Sequence, residues 1–523
     1  MTVTETTSHL KLIEPDISPT GPKQFSGRQL ARNSLYNYIG LIAPLVVGFA
    51  SIPVLVAQLG TDRFGLLSLA WMVVGYFNIF DMGIGRATTK FVAEYAAKGR
   101  QRELPSLITS ALSLSIAGGL VGAAIVSLLA PTVVGSWLNV PDELHAEALA
   151  TMYVIAISIP ILLTNACARG VLEAQQRFAL SNSIRVPSSV SAFLVPILVL
   201  PFSKSLFVIV LSLTIAKMIV MSFYLRFALR ELDIWRKGRV NRAILVQLLG
   251  YGKWVTVSNV IAPMMGQMDR LLVGALLTLT AVAYYATPFD LMVKLFIIPT
   301  GLVTVIFPVF SAYTSARTDD VVNLHQKAVR YILLVMLPIA VGAITLAEPF
   351  LSLWLNEDFA YHSTLVLQFM AFGVVVNSIA RVPLSAIEAL GRPDMTATMY
   401  LIELPIYVTA LWYATVGYGI AGAAVVWTAR LVIESVVLFL LSAKVIGTRA
   451  RTIWPQIHIG ILVFSSLTAA LLIATIDATG LRALLAVLLI VIVVTVAWRY
   501  GVNRSERAEI RKIIVNRFGR GEG

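Results

Sequence analysis

Long apolar stretches, each closed by a short polar loop, fill this chain from residue 33 to residue 499. A helix needs about 20 predominantly apolar residues to cross the hydrocarbon core of a bilayer. Stretches of that kind fall at 33–59, 64–84, 104–130, 146–169, 183–201, 205–226, 248–275, 279–311, 329–355, 364–388, 395–416, 419–443, 454–476 and 481–499. The pattern predicts an all-α polytopic membrane protein with about 14 transmembrane helices. Proline occurs inside several stretches (Pro44, Pro53, Pro187, Pro263, Pro299, Pro405). Membrane bundles tolerate it, because neighbouring helices or cavity water satisfy the freed backbone groups.

Composition agrees. Of 523 residues, 58% are hydrophobic and 13% charged, with a mean hydropathy of +0.82. A soluble globule carries roughly 25% charged residues, so lipid rather than water is expected to contact most of the exterior. The first 32 residues are polar and end in Arg28 and Arg32. They lack a short apolar core followed by a small-residue cleavage site, and are expected to form a retained tail. Cys167 is the single cysteine, and the five histidines are scattered. No disulfide, metal site or cofactor is expected from them.

The net charge is +13, and its distribution matters more than its size. One set of loops carries Arg86, Lys90, Lys98, Arg100 and Arg102, then Arg177, then Arg226, Arg230, Arg236, Lys237, Arg239 and Arg242. It continues with Arg317, Lys327, Arg392, Lys444, Arg449 and Arg451, while the alternate loops hold only Arg63, Lys204 and Arg482. Lys and Arg accumulate on cytoplasmic loops. Both termini are therefore expected in the cytoplasm, which demands an even number of spans. Topology and anionic lipid account for the surplus, so no nucleic-acid partner is expected. The alternate loops are short, which leaves no extracytoplasmic domain to house a catalytic site.

Self-comparison reveals a repeat. Ile42-Ala43-Pro44 returns as Ile261-Ala262-Pro263, and Trp137-Leu138-Asn139 as Trp354-Leu355-Asn356. Asn165-x-x-Ala168-Arg169 returns as Asn377-x-x-Ala380-Arg381, Glu173-Ala174-x-x-Arg177 as Glu388-Ala389-x-x-Arg392, and Ala216-Lys217 as Ala429-Arg430. The matches keep their order at offsets of 212 to 219 residues. Six spans separate the copies, so two parallel six-helix repeats should form two lobes about an axis along the membrane normal. The expected layout is a cytoplasmic tail (1–32), an N-lobe of helices 1–6 (33–226), a basic cytoplasmic linker (227–247) and a C-lobe of helices 7–12 (248–443). Two extra C-terminal helices (454–499) and a basic cytoplasmic tail (500–523) complete it. A cleft between such lobes can open to either side by rocking.

The chain also carries Gly60-x-x-x-Phe64-Gly65 between the first two spans and Asp81-x-Gly83-x-Gly85 at the end of the second. Asp269-Arg270-x-x-x-Gly274 and Tyr284-Tyr285 lie around the seventh and eighth. With these motifs in a two-times-six-plus-two layout, the sequence resembles the polysaccharide-transport branch of the multidrug/oligosaccharidyl-lipid/polysaccharide exporter superfamily, over roughly residues 33–500. The resemblance implies an O-antigen-type flippase of the bacterial cytoplasmic (inner) membrane. Such a protein moves an undecaprenyl-pyrophosphate-linked oligosaccharide by alternating access, for cell-surface polysaccharide biosynthesis. Its partners would be the lipid-linked oligosaccharide, membrane lipids, an H+ or Na+ coupling ion and other polysaccharide-assembly proteins.

A diphosphate headgroup cannot cross hydrocarbon with its charge uncompensated, so cations at membrane depth are the candidate binding residues. Lys217 and Arg430 lie near the middle of the sixth and twelfth spans and are repeat-equivalent; Lys294, Arg270 and Arg381 lie within the eighth, seventh and tenth. Lys253 is nearer the cytoplasmic side, and Arg169 is placed to snorkel. The competing structural account pairs Asp290 with Lys294 and Arg430 with Glu434, each four residues apart on one helix. Asp81, Asp269, Asp290, Glu403 and Glu434 are candidates for coupling or gating; for Asp81 a gate or loop pair with Arg86 is favoured, and Asp269 has Arg270 as an alternative local partner. Tyr400, Tyr407, Trp412 and Tyr413 cluster in the eleventh span, where helix packing is the first explanation. Trp137 and Trp354 read as interface anchors.

Two transport alternatives share the superfamily: a multidrug antiporter, expected to have twelve spans and an acidic midplane, and a lipid II flippase. A membrane glycan polymerase or ligase would need a sizeable loop bearing catalytic residues, and the repeat would have no purpose in it. The chain is read as a transporter and not an enzyme.

Overall fold

The computed structural model describes residues 27–79, 84–138, 140–175, 177–230, 238–249, 265–312, 318–453 and 457–501. Among these residues the secondary structure is helical, with no strand. The first lobe contains α1 (Gly27–Leu59), α2 (Thr61–Ile79), α3 (Ile84–Ala97), α4 (Leu104–Thr132), α5 (His145–Ala174), α6 (Phe178–Val199) and α7 (Leu206–Arg230). The second contains α8 (Met268–Leu276), α9 (Leu279–Lys294), α10 (Ile297–Ala312), α11 (Thr318–Thr345), α12 (Ala347–Trp354), α13 (Glu357–Ala389) and α14 (Pro393–Ile446). Helices α15 (Ile457–Ala474) and α16 (Thr479–Gly501) follow. Nine helices among the described residues are long and apolar enough to cross a membrane, and α14, at 54 residues, spans two predicted crossings. Of the seventh predicted span, residues 250–264 lie outside the described residues, and α8 forms its end.

Three local features depart from a simple row of spans. Helix α3 does not span: it buries Ala87, Phe91, Val92 and Tyr95 along one face against the first lobe and leaves Lys90 exposed. The eighth span breaks at Leu295–Phe296. Pro299 has no N–H to return to the Leu295 carbonyl, and three-residue bonds replace the regular ladder there, including Phe296 N to Val293 O at 3.1 Å and Ile298 N to Leu295 O at 3.1 Å. Finally, α14 reverses at Gly419, whose backbone (φ 61°, ψ −146°) is a conformation closed to other residues. Three residues on, a Cβ at Gly422 would stand 2.2 Å from the Ala414 carbonyl oxygen, so the two arms meet backbone to backbone. Gly419→Ala should therefore cost about 1–3 kcal/mol. A lowered melting temperature of the purified protein is expected, and an unchanged one would refute this account of the turn.

Packing within the lobes follows the repeat. In the first, Asn165 of α5 donates to the Lys217 carbonyl of α7 at 3.3 Å. In the second, α14 donates to α13 through Thr428 to the Phe369 carbonyl (2.8 Å) and Ser435 to the Val376 carbonyl (3.2 Å). The fourth and sixth spans are thus joined as the tenth and twelfth are.

Contacts between the lobes concentrate on the face that carries the Gly60 turn, which the Lys and Arg distribution predicts to be the outer one. There α2 lies against α9 so closely that a Cβ at Gly65 would fall 1.9 Å from the Leu279 carbonyl oxygen. Asp62 accepts from the Thr280 hydroxyl. Trp354 stacks on Phe49 at 4.8 Å and donates to its carbonyl at 2.9 Å. One continuous core joins Leu55, Leu67 and Leu206 of the first lobe to Leu279, Tyr285 and Met336 of the second. Toward the opposite face, the first lobe has its own core, in which Phe91, Ile108, Val171 and Tyr224 pack with Ile244 and Leu248 of the segment 242–249. Among the described residues, then, the lobes share a core on the Gly60 face and have separate ones toward the other.

Candidate functional site

The second lobe gathers most of the predicted charged residues into one buried chain. On α14, Arg430 Nη2 donates to Glu434 Oε2 at 3.0 Å, and Nε donates to Glu403 Oε1 on the other arm of the hairpin, also at 3.0 Å. A third donor, Nη1, reaches the Met265 carbonyl at 3.4 Å. The side chains of Arg430, Glu403 and Glu434 are only 11%, 14% and 7% exposed. Tyr400 donates to Glu434 Oε1 at 3.2 Å, and the guanidinium lies 5.1 Å from the centre of the Tyr407 ring. A buried ion pair is tolerated when hydrogen bonds complete it, and here one guanidinium serves two carboxylates. With all three groups ionised, the trio carries one more negative charge than positive.

Beside it, fully buried Asp269 accepts from the Tyr285 hydroxyl at 2.7 Å through Oδ2, while its Oδ1 has no protein partner. Arg270 pairs with Asp290 of α9 and lies 4.5 Å from the Phe289 ring centre. Arg381 rests 4.5 Å from the ring of Phe296, at the break in the eighth span, with its Nε unpartnered. Buried polar atoms are normally hydrogen-bonded. Asp269 Oδ1, Arg270 Nε, Arg381 Nε, Glu403 Oε2 and Tyr407 Oη are exceptions gathered in one region, and water or a ligand would relieve them.

Two lysines stand apart. Leu279, Ala283, Ala286, Asp290 and Lys294 recur at three- and four-residue steps, which puts them on one side of α9. Leu279 belongs to the seal against α2. Lys294, fifteen residues on (294 − 279), is roughly 22 Å further along at ~1.5 Å per residue. Its Nζ lies 5.1 Å from the ring of Phe193 on α6, across the lobe boundary. Phe193 in turn packs on Gly48 of α1 and edge-on to Trp71 of α2. Lys217 remains within the first lobe, its Nζ donating to Ser188 of α6 at 3.3 Å.

Some expectations change. Asp290 is not the partner of Lys294: Arg270 from α8 takes it, and no carboxylate lies within 4 Å of Lys294, Lys217 or Arg381 among the described residues. Lys217 and Arg430, equivalent in the repeat, are not brought together and have unlike surroundings, one a hydroxyl and the other two acids. Trp354 joins the lobes through Phe49, whereas Trp137 is 55% exposed. The aromatic group of the eleventh span divides, with Tyr407 buried and Trp412 and Tyr413 exposed. Asp81 and Lys253 lie outside the described residues. Sequence reasoning missed Ser188, Phe193 and Trp71; nothing in their local pattern distinguishes them from packing residues.

Two helical lobes are thus joined on one face, with a charged interior. The solved structures that resemble the chain have this fold. A lipid II flippase MurJ in an inward closed conformation matches with a TM-score of 0.67 and 15% identity, over 90% of this chain and 99% of that one. An inward-facing multidrug resistance MATE family transporter matches with a TM-score of 0.63 and 16% identity, over 79% and 94%. Residues 30–314 match the family described as polysaccharide biosynthesis protein; the chain belongs to that family, within the multidrug/oligosaccharidyl-lipid/polysaccharide exporter superfamily. Among curated relatives, a Shigella flexneri protein provisionally named an O-antigen transporter is 26% identical over 412 residues, 78% of this chain and 96% of that protein. An uncharacterised membrane protein of Bacillus subtilis strain 168, EpsK, is 24% identical over 339 residues, 64% of this chain and 66% of that protein.

Proposed function

We propose that the protein translocates an undecaprenyl-pyrophosphate-linked oligosaccharide from the cytoplasmic to the outer leaflet of the bacterial inner membrane, with both termini in the cytoplasm. The observation that carries the reading is Lys294, a cation at membrane depth that faces Phe193 of the other lobe and, among the described residues, has no carboxylate within ion-pair distance. With the Gly60 face outward, the lobes are closed to the outside and separately packed toward the cytoplasm, the arrangement that receives a headgroup from the cytoplasmic leaflet. Of the described candidate cations, Lys294, Arg381 and Lys217 have no ion pair and are assigned to the diphosphate. Arg430 and Arg270 are held by acids, so their clusters are assigned to coupling: Asp269 Oδ1 and Glu403 Oε2 lack partners and are the positions for a proton or a sodium ion. The sequence identity, 26% to the O-antigen relative against 15% to the lipid II flippase, favours an oligosaccharide over lipid II.

Deletion of the gene, followed by leaflet-specific labelling of lipid-linked sugars, tests the assignment. Sugar should accumulate on the cytoplasmic leaflet and return to the outer one on complementation. Unchanged outer-leaflet delivery in a host without a redundant transporter rejects it.

A further inference from the structure

The charged trio of the second lobe has a counterpart in the first, and the two copies differ in charge. Lys217 Nζ on Ser188 Oγ at 3.3 Å corresponds to Arg430 Nε on Glu403 Oε1 at 3.0 Å, at offsets of 213 and 215 residues. Glu434 corresponds to Met221, and Tyr400, which donates to Glu434, corresponds to Arg185. The first lobe thus has a hydroxyl and a thioether where the second has two carboxylates, and a guanidinium where the second has a phenol.

Arg185 lies seven residues past the start of α6 at Phe178. Among the described residues it forms no ion pair and no side-chain hydrogen bond. Arg169, by contrast, has its own acid, Glu173, at 3.6 Å. Residues three apart on a helix are neighbours, so Arg185 stands beside Ser188 and the ammonium group that Ser188 holds. All three side chains are half-buried and within reach of a ligand. The Ser188 hydroxyl accepts from Lys217 and, among the described residues, donates to no protein atom. The group therefore offers two unbalanced positive charges and only donors, in a span where cations without a counter-charge are costly. A neutral sugar would leave both charges unbalanced, and a monocarboxylate would leave one. A diphosphate balances both: its oxygens only accept, the guanidinium fork suits them, and the ammonium acts as a point charge.

The same helix gives the order of contact. Phe193, against which Lys294 lies, is eight residues beyond Arg185 on α6, or ~12 Å at ~1.5 Å per residue. The helix starts next to Arg177, on the face predicted to be cytoplasmic.

We propose that Arg185, Ser188 and Lys217 form the first station for the diphosphate, on the cytoplasmic side of Lys294, and that the lack of acids at positions 188 and 221 opens it to an anion. The station rests on the translocation reading and adds to it a residue, Arg185, and a sequence of contacts.

The test uses full-length protein in detergent micelles and radiolabelled undecaprenyl pyrophosphate, with undecaprenol and inorganic pyrophosphate as competitors. Saturable binding is expected, displaced by the unlabelled lipid diphosphate, not by undecaprenol, and by inorganic pyrophosphate only at much higher concentration. Arg185→Gln should weaken it at least tenfold. Ser188→Glu, which rebuilds on Lys217 the ion pair that Glu403 makes with Arg430, should also weaken it at least tenfold while the melting temperature holds or rises. Ser188→Gln, of the same size without the charge, should bind within about threefold of the parent. If Arg185→Gln fails to fold, Ser188→Glu decides. Undiminished binding by Ser188→Glu, or equal loss in Ser188→Gln, would overturn the station and leave the Lys294 reading standing. Absence of binding by the parent, or equal affinity for inorganic pyrophosphate, would overturn the station as a site for the lipid, and only the former would also count against the translocation reading.

Discussion

Lys294→Met should reduce delivery of lipid-linked sugar to the outer leaflet at least tenfold without destabilising the protein. A hydrogen bond to a charged group contributes about 1.5–3 kcal/mol, and each 1.4 kcal/mol is about tenfold in an equilibrium constant. Lys294 touches Phe193 across the lobe boundary and has no carboxylate within ion-pair distance among the described residues. Its cation–π contact is worth about 0.5–2 kcal/mol, whereas a lysine at the centre of a membrane helix costs about 2.5–3.5 kcal/mol on insertion scales. The two nearly offset, or favour the methionine. The melting temperature should hold or rise while transport falls, a combination that a purely structural lysine would not give. Lys294→Arg, which keeps the charge, should retain most of the transport. Full activity in the methionine variant would remove the proposed diphosphate contact.

Gly65→Ala should unseat the closure between α2 and α9. The added methyl would stand 1.9 Å from the Leu279 carbonyl oxygen, which is backbone and cannot rotate aside. Overpacking of this kind costs about 1–3 kcal/mol, and here the cost falls on the sealed arrangement, not on the lobes themselves. A bias of about 1–3 kcal/mol shifts a two-state equilibrium 5- to 150-fold. Ala283, buried on α9, is a suitable reporter. With cysteine at 283, a membrane-impermeant maleimide added outside should react slowly in the parent and many-fold faster beside Gly65→Ala. The native Cys167 is buried and can stay. Equal labelling in both backgrounds would show that this glycine does not govern the seal.

The helical architecture was legible in the sequence because apolar length is a direct consequence of bilayer thickness. The Arg430–Glu434 pair was legible too, since spacing along one helix fixes which side chains are neighbours. The second partner, Glu403, was legible as a residue and not as a contact, because the hairpin that joins the arms of α14 turns on a glycine conformation that composition does not announce. The Asp290–Lys294 expectation failed for a related reason. Helical spacing permits that pair, but Arg270 arrives from a different helix and competes for the same carboxylate. The role of Phe193 as the surface facing Lys294 could not be read locally, for it depends on how one lobe is set against the other.

The segment 242–249 is fastened to the first lobe, through Tyr95 to Gln247 at 3.1 Å and Ile244 and Leu248 in the shared core. The first lobe thus carries its own ballast. In the rocking motion proposed above, these contacts would travel with it unbroken, and the contacts to be remade would be those of α2 with α9 near Gly60.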